Sequence, residues 1–309
     1  MYHIIVNPAS RSGKGIRLWE DLIVPCLAEQ NIKYTAHFSK KMGDVARLAA
    51  EITKDAGPDN PVNLIFFGGD GTFNEALQGI SDFRYVTIGY VPTGSSNDLA
   101  RDLGISKDPA SAFRQIFTSG RLHTMDLGEA ILSDGTIRRF AVSCGIGFDA
   151  AVCEEVNRSA FKRVLNKIGL GKLAYLGIAV KNLFTAPSST CKVLLDDKQE
   201  IELKDFIFLA AMNHRYEGGG FKFCPKANYC DGIMDVCTAA GISRLLILFA
   251  LPTAFFGKHY MFKGIYGYTG CNMNIQASIP LWVHTDGEVI GQTDNLKITC
   301  RKQAIRIIY

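Results

Sequence analysis

The sequence lacks the residue patterns that mark several common classes of protein. Its nine cysteines include no CxxC pair and no His/Cys cluster with the spacing of a zinc site. We therefore expect reduced, buried thiols, as in a cytosolic protein. The six histidines form no Ser/His/Asp or metal-ligand grouping, so the sequence does not support hydrolysis by an activated nucleophile.

No segment is long and apolar enough to predict a membrane-spanning helix. The longest run of mainly apolar residues, 245–256, has 12 residues and contains Pro252, whereas a span needs about 20 residues. No signal-peptide pattern precedes the first apolar strand, expected at residues 2–6. The sequence therefore predicts a soluble, cytoplasmic protein, with peripheral contact at the inner face of the membrane as a further hypothesis.

Charge and composition favour a globular protein with an anionic partner. The 309 residues carry a net charge of +4 and are 47% hydrophobic, which suits one large domain or two smaller ones. The positive charge is small, so it favours an anionic ligand or surface and does not predict nucleic-acid binding.

Strands and helices alternate through residues 1–122. Apolar runs at residues 2–6, 34–38, 62–67 and 86–91 predict strands, with amphipathic segments between them. This alternation predicts a parallel sheet with helices on both faces and ligands at the carboxyl ends of its strands. Beyond this region, short β-like runs with little helix between them predict an antiparallel sandwich.

A glycine-rich loop follows the third predicted strand. Gly68, Gly69 and Gly71 surround a single carboxylate, that of Asp70. Bare backbone N–H groups at a helix N-terminus form an anion site, commonly for phosphate. An ordinary turn is the alternative, but a turn gains nothing from Asp70, whereas a phosphate-bound Mg²⁺ would need it.

Two further small-residue loops, residues 7–15 and 92–98, follow the first and fourth predicted strands. Because all three loops lie at carboxyl ends of parallel strands, we expect them to converge. Two capping boxes are also predicted, each formed by a hydroxyl residue and an acid three positions later: Thr72 with Glu75, and Ser95 with Asp98.

Three stretches allow two interpretations each. Residues 284–288 are either a fourth acidic element of the site or a tight hairpin turn, and local sequence alone favours the turn because it contains Asp-Gly. Residues 150–184 carry basic residues between Arg158 and Lys172, which suits either an anionic membrane or an ordinary solvated helix face. Residues 245–262 are apolar with basic flanks, which suits either membrane contact or core packing.

The motifs of the chain, taken in order, resemble those of one known family. They are Asn7-Pro8-x-Ser10…Gly13, Gly68-Gly-Asp-Gly-Thr72 with Asn74-Glu75, Gly94-x-x-Asn97-Asp98, Asp126-Leu-Gly128, Gly145-x-Gly147-Phe148-Asp149 and Asp286-Gly-Glu288. Together they look like the diacylglycerol-kinase catalytic family, and they are most similar to its soluble bacterial lipid kinases. Gly-Gly-Asp-Gly-Thr alone is shared with NAD kinases, sphingosine kinases and phosphofructokinases, so the ordered set carries the resemblance.

The resemblance implies two domains with ATP in the cleft between them. An N-terminal three-layer, Rossmann-like α/β domain would comprise residues 1–124 and 293–309, because the last strand would return to it. A C-terminal β-sandwich, residues 125–292, would take the lipid. An exposed edge of that sandwich could support a homodimer.

The resemblance also implies the binding residues, transferred position by position. The ATP contacts would come from Asn7, Pro8, Ala9, Ser10, Arg11, Ser39, Gly68, Gly69, Asp70, Gly71, Thr72, Phe73, Asn74, Ser95 and Asn97. The family usually has Thr at the positions of Ser39 and Ser95, and either hydroxyl can donate to a phosphate. A metal distinct from the ATP-bound one is implied at Asn228, Asp231 and Ile233, where only Asp231 offers a carboxylate.

The implied reaction is Mg²⁺- and ATP-dependent phosphorylation of a lipid hydroxyl. Asp286 and Glu288 match the catalytic acidic motif and, with Asp70, are the expected catalytic residues. Either acid of the pair could be the base, because residues two apart in a strand face the same side. Mg²⁺ would be tied by Asp70, Asp98 and Asp126, which could otherwise be helix caps.

The sequence leaves the substrate and two alternatives open. Diacylglycerol or a related lipid alcohol is the expected acceptor, since each presents a hydroxyl on an apolar body. The alternatives are a NAD kinase acting on a soluble nucleotide and a nucleotide- or lipid-binding regulator without turnover.

Overall fold

The computed structural model describes residues 1–118, 121–158 and 171–309. Part of the predicted basic segment 150–184 lies outside the described residues, including Lys162, Arg163 and Lys167. Among the described residues, no helix is both long enough and apolar enough to cross a bilayer. All nine cysteines are free thiols, and five of them are buried, so the expectation of reduced thiols is confirmed and that of burial holds for those five.

The N-terminal part alternates strands and helices, as the sequence predicts. Its elements are β1 (Tyr2–Val6), α1 (Ser10–Gly13), α2 (Gly15–Leu18), a π-helical turn (Trp19–Ile23), α3 (Val24–Glu29), β2 (Tyr34–Phe38), α4 (Asp44–Thr53), β3 (Val62–Gly68), α5 (Asp70–Gly79), β4 (Val86–Pro92), α6 (Asp98–Leu103) and α7 (Pro109–Thr118). The strands pair in parallel in the order β2-β1-β3-β4. Their apolar side chains are buried against the helices, which explains the nearly continuous apolar runs in β3 and β4.

The C-terminal part is mainly antiparallel. Its elements are β5 (Leu122–Leu132), β6 (Ile137–Phe140), β7 (Ser143–Gly147), α8 (Phe148–Arg158), α9 (Gly171–Thr185), β8 (Ser189–Leu195), β9 (Gln199–Met212), β10 (Met234–Ala240), α10 (Arg244–Ala254), a 3₁₀ turn (His259–Met261), β11 (Ile265–Gly270), β12 (Asn272–Thr285) and β13 (Glu288–Ile308). Strand β8 alternates buried and solvent-facing side chains, the pattern of a sheet with one face on a core. The predicted sandwich is confirmed.

The last strand, β13, joins the two parts. It pairs antiparallel with β12 and β5, and its final residues, 306–308, pair in parallel with β4. The expected return of the last strand to the α/β domain is therefore confirmed. Within the described residues, all strands belong to one sheet of 13. Because β13 pairs with both parts, the domain boundaries at residues 124, 125, 292 and 293 stay predictions.

Candidate active site

The three small-residue loops meet at the carboxyl edge of the parallel sheet, as predicted. Gly69 and Gly94 are so close that a Cβ on Gly69 would lie 2.9 Å from the Gly94 Cα. The Thr93 N–H donates to the Gly68 carbonyl (2.7 Å), and the Thr93 hydroxyl donates to the Ser10 hydroxyl (2.8 Å). The close approach of the loops requires glycine at both positions.

The carboxylate of Asp70 is buried at the first residue of α5. It accepts hydrogen bonds from the Asp98 N–H (2.9 Å) and the Tyr90 hydroxyl (3.2 Å). Burial raises the pKa of Asp70 to about 6, and the nearby carboxylates of Asp98 and Asp286 raise it further against these hydrogen bonds. The charged form of Asp70 therefore lacks compensation from cationic side chains.

Asp98 lies beside Asp70 and connects two parts of the cleft. Its carboxylate accepts from the Gly219 N–H (2.6 Å) and pairs with Arg101 (2.7 Å). Burial raises its pKa as well. Two adjacent carboxylates destabilised by burial form a hard-oxygen donor set that suits Mg²⁺.

Asp126 contacts a different segment. Its side chain is fully buried and accepts from the N–H groups of Gly232 (2.7 Å) and Gln303 (2.6 Å). These bonds hold the loop of residues 228–233 against β13. The structure thus places Asp126 with the second predicted metal loop and not in hydrogen-bond contact with Asp70 or Asp98.

The loop of residues 228–233 is held partly by its own side chains. The Ile233 N–H donates to the Asp231 carboxylate (2.9 Å), and the Cys230 N–H donates to the Asn228 side chain (3.4 Å). Across residues 1–118, 121–158 and 171–309, no group of three or more His, Cys, Asp or Glu side chains is arranged to hold a metal. A metal at Asn228, Asp231 and Ile233 stays a prediction.

The Asp286-Gly287 pair forms the turn between β12 and β13. Both residues have positive φ, 50° for Asp286 and 83° for Gly287, and Thr285 pairs with Glu288 across them. This is the two-residue hairpin geometry that Asp-Gly favours. The interpretation as a turn is confirmed, and Asp286 therefore does not follow the strand periodicity that would have pointed it the same way as Glu288.

Four N–H donors converge on the Asp286 carboxylate. One oxygen accepts from Val142 (2.8 Å) and Ser143 (2.9 Å), and the other accepts from Ala141 (3.0 Å) and the Asn74 side-chain amide (2.8 Å). A carboxylate offers about four lone-pair positions. All acceptor positions of Asp286 are thus filled by protein groups.

The Glu288 side chain has a different environment. It is exposed, and its Oε1 lies 3.2 Å from the position that a Cβ on Gly71 would occupy. The environments of the two predicted catalytic acids therefore differ. The Asp286 carboxylate is held by four N–H groups, whereas the Glu288 side chain faces the glycine-rich loop.

A buried acid–base cluster supports the turn from behind, and the sequence did not predict it. The Ser143 hydroxyl donates to Glu217 (2.5 Å), and His284 Nε2 lies 3.2 Å from Asp149 and 3.5 Å from Glu217. Burial raises the pKa of Glu217 to about 7. The signals that could have revealed the cluster were Asp149 in its glycine motif and an acid next to three glycines.

His284 connects this cluster to the catalytic turn. The Gly287 N–H donates to Nδ1 (3.1 Å), which needs the ring lone pair and keeps the ring proton on Nε2. Burial lowers the pKa of His284, and the facing carboxylates of Glu217 and Asp149 raise it more strongly. We nevertheless assign the ring as neutral, because a protonated Nδ1 could not accept the hydrogen bond from the Gly287 N–H.

The predicted ATP residues fall into two groups. Residues after the first two strands lie at the edge: the Asn7 amide donates to the Thr72 hydroxyl (3.0 Å), and the Ser39 hydroxyl donates to the Val6 carbonyl (3.5 Å). Pro8, Ala9, Arg11, Gly68, Gly71 and Ser95 belong to the same three loops. By contrast, the side chains of Thr72, Phe73 and Asn74 are buried in the protein, and the Phe73 N–H donates to the Gly69 carbonyl.

Both predicted capping boxes are wrong. Helix α5 begins at Asp70, with Gly69 as its N-cap, so Thr72 already lies inside the helix. Glu75 instead accepts from the N–H of Val45 (3.0 Å), at the start of α4. Helix α6 begins at Asp98 after Asn97, whose side chain bonds to Gly94 and not to the helix.

Comparison with known proteins identifies the family. Residues 1–130 match the diacylglycerol kinase catalytic domain, and residues 142–309 match the YegS C-terminal NAD kinase β-sandwich-like domain. YtlR of Bacillus subtilis, which is named as a lipid kinase, is 27% identical to this chain over 94% of each of the two chains. The diacylglycerol kinase of Mycobacterium tuberculosis is 30% identical over 69% of this chain and 64% of its own length.

Solved structures share the fold. A diacylglycerol kinase from Bacillus anthracis superposes with a TM-score of 0.72 at 20% identity, covering 100% of this chain and 96% of the other. An NAD kinase from Archaeoglobus fulgidus in complex with ATP superposes with a TM-score of 0.53 at 10% identity, covering 100% and 94%. With the family matches, the chain belongs to the diacylglycerol-kinase catalytic family with a YegS-type β-sandwich, and it is an ATP-dependent lipid kinase.

Proposed function

We propose that the protein transfers the γ-phosphoryl group of ATP to the free hydroxyl of diacylglycerol or a related lipid alcohol, with Glu288 as the general base. The observation that carries the proposal is the contrast between the two acids of the turn. Asp286 has its acceptor positions filled by four N–H donors, whereas Glu288 is exposed beside Gly71 of the glycine-rich loop.

A proton could reach Asp286 only at the cost of one of its hydrogen bonds. Each bond to a charged group is worth about 1.5–3 kcal/mol, so the four donors hold this carboxylate in place and occupy its oxygens. The Glu288 side chain is instead exposed beside Gly71. We infer that Asp286 positions the turn. Glu288 would accept the proton of the lipid hydroxyl as the new oxygen–phosphorus bond forms and the bond from the γ-phosphorus to the bridging oxygen breaks, releasing ADP.

The glycine-rich loop would hold the phosphates of ATP. Its glycines leave the backbone N–H groups at the start of α5 open, and α5 is a helix of 10 residues whose positive end faces the cleft. Ser10, Ser39, Ser95 and Asn97 surround this edge and supply further donors. A phosphate held there lies on the same side as Glu288.

Asp70 and Asp98 are the residues that would hold Mg²⁺. When bound, the ion would neutralise the charge on the phosphates. Asp126 has the separate role of securing the loop of residues 228–233, where the second metal is expected.

The test is a comparison of Glu288→Gln with the unchanged protein in an assay with γ-labelled ATP and micellar dioctanoylglycerol. Loss of a general base lowers kcat by about 10²–10⁴-fold, and we expect unchanged folding and ATP affinity. Phosphatidylglycerol, a sphingoid base and NAD serve as alternative acceptors. Full activity of the Glu288→Gln variant would remove Glu288 from the mechanism, and preference for NAD would replace the lipid.

A further inference from the structure

A group of exposed apolar side chains lies on α10 and on the turn that follows it. It consists of Leu245, Leu246, Phe249, Phe255, Phe256 and Met261, and each of these side chains is exposed. Phe256 and Met261 are the most exposed, at 77% and 75%. We call these six residues the apolar surface. Contiguous exposed side chains of this size mark an interaction site more often than isolated ones do.

Helix α10 has two apolar faces, and only one belongs to the core. Ile247, Ala250 and Ala254 are buried, which agrees with the interpretation of this segment as core packing. Leu245 and Phe249, one helical turn apart, point away from the core and are 58% and 63% exposed. Core packing therefore explains half of the helix and leaves the outer face unaccounted for.

The segment of chain that carries the apolar surface has charged residues of one sign only. Residues 236–285 contain no Asp or Glu, and their charged residues are Arg244, Lys258 and Lys263. Lys258 and Lys263 are exposed. An apolar face with a cationic border complements an anionic lipid surface. The same border would repel an identical border in a symmetric contact between two copies of the chain.

One loop connects the apolar surface to the active site. At one end, the Gly219 N–H donates to the Asp98 carboxylate (2.6 Å). At the other, the Phe221 ring stacks on Phe255 with centroids 4.0 Å apart, and the Lys222 N–H donates to the Ala254 carbonyl (2.8 Å). Two residues span at most about 7 Å, so the apolar surface begins next to the cleft.

We propose that the apolar surface docks on the surface of an anionic phospholipid bilayer, with Phe256 and Met261 inserted at the boundary between headgroups and acyl chains. The proposal rests on the lipid-kinase function proposed above. It gives the substrate a route, because a lipid in the docked leaflet can present its hydroxyl along the loop from Phe221 to Gly219. The tails then remain in the bilayer while the headgroup is phosphorylated.

The first test is sedimentation with vesicles of phosphatidylcholine and phosphatidylglycerol, compared with phosphatidylcholine alone. We expect the double variant Phe256→Ser/Met261→Ser to partition at least about tenfold less onto the mixed vesicles, because two inserted apolar side chains are lost. Met42→Ser is the matched control, since Met42 is 89% exposed but lies in the α/β part. Lys258→Glu/Lys263→Glu should remove the preference for phosphatidylglycerol. Unchanged partitioning of both double variants would overturn the proposal.

A second measurement locates the contact. The tryptophan fluorescence added by Phe256→Trp should be quenched by brominated phosphatidylcholine in mixed vesicles, and that added by Met42→Trp should not. Trp19 and Trp282 contribute the same background fluorescence to both variants. Quenching equal to that of the Met42 control would contradict insertion. Light scattering tests the competing occupant: a dimer that dissociates in Phe256→Ser/Met261→Ser, with vesicle binding unchanged, would assign the surface to a second copy.

Activity measurements separate this inference from the proposed function. The Phe256→Ser/Met261→Ser variant should keep its activity on soluble short-chain diacylglycerol and lose it on long-chain substrate in vesicles. Equal activity on both would refute the docking surface and leave the lipid-kinase proposal intact. Vesicle binding by a protein that phosphorylates none of the lipids would refute the proposed substrate and leave the surface standing.

Discussion

The glycine-rich loop and the catalytic turn each place one aspartate at the cleft, and the two carboxylates are held in opposite ways. Asp70 is buried with two hydrogen-bond donors, and burial raises its pKa to about 6. Asp286 receives four donors. The first carboxylate destabilises the fold in its charged form and is available to a cation. The second stabilises the fold and is unavailable to substrate.

The largest expected effect is on activity, from Asp70→Asn. We expect phosphoryl transfer to fall by at least about 100-fold, because one of the two carboxylates proposed to hold Mg²⁺ at the phosphates is lost. In metal-free buffer at pH 8, stability should instead rise, by up to about 3 kcal/mol, since the pKa shift from 3.8 to about 6 measures the cost of the charge. The rise should vanish as the pH falls below about 4. Urea unfolding with and without EDTA measures it, and a less stable variant would contradict the assignment.

The opposite outcome is expected for Asp286→Asn. An amide keeps one acceptor oxygen but presents an NH₂ group to N–H donors, so we expect a loss of about 2–4 kcal/mol in the free energy of unfolding. Activity should fall as well, because the turn that carries Glu288 is loosened. Urea unfolding beside the Asp70→Asn protein provides the comparison. If both variants change stability in the same direction, the contrast between the two carboxylates is wrong.

The cluster behind the turn should appear in the pH dependence of stability. The folded pKa of Glu217 is raised to about 7 from 4.5, so the folded state binds its proton more tightly than the unfolded state does. This group therefore costs stability as the pH rises from about 4.5 to 7, by about 3 kcal/mol in total. Glu217→Gln should reduce that decline, measured by unfolding at several pH values. An unchanged slope would show that Glu217 ionises normally.

A smaller effect is expected where the loops meet. Gly69→Ala places a Cβ 2.9 Å from the Gly94 Cα, so the two loops must separate. We expect ATP affinity to fall by about tenfold, or about 1.4 kcal/mol. Gly57→Ala is the control, because no atom lies within 4 Å of its added Cβ. Equal ATP affinity of the two variants, by calorimetry, would exclude the contact from the binding site.

Local patterns made the fold and the glycine-rich loop predictable. Strand β3, the glycines after it and helix α5 are consecutive, so apolar runs, bare turns and periodicity suffice to find them. Patterns of the same kind failed for the capping boxes. Thr72 and Glu75 have the right spacing, but the helix starts two residues earlier, at Asp70, and Glu75 binds Val45 of another helix. Spacing does not reveal which partner a side chain reaches.

By itself, the sequence determined the order of strands and helices, the glycine-rich loops at one sheet edge and the presence of an acidic pair near the end of the chain. Tertiary structure alone decided which of Asp286 and Glu288 is exposed. The donors that fill Asp286 come from residues 141–143 and from Asn74, which is 212 positions away. Because these N–H groups are distant in sequence, no local pattern reveals them. They give different environments to two acids that are only two positions apart.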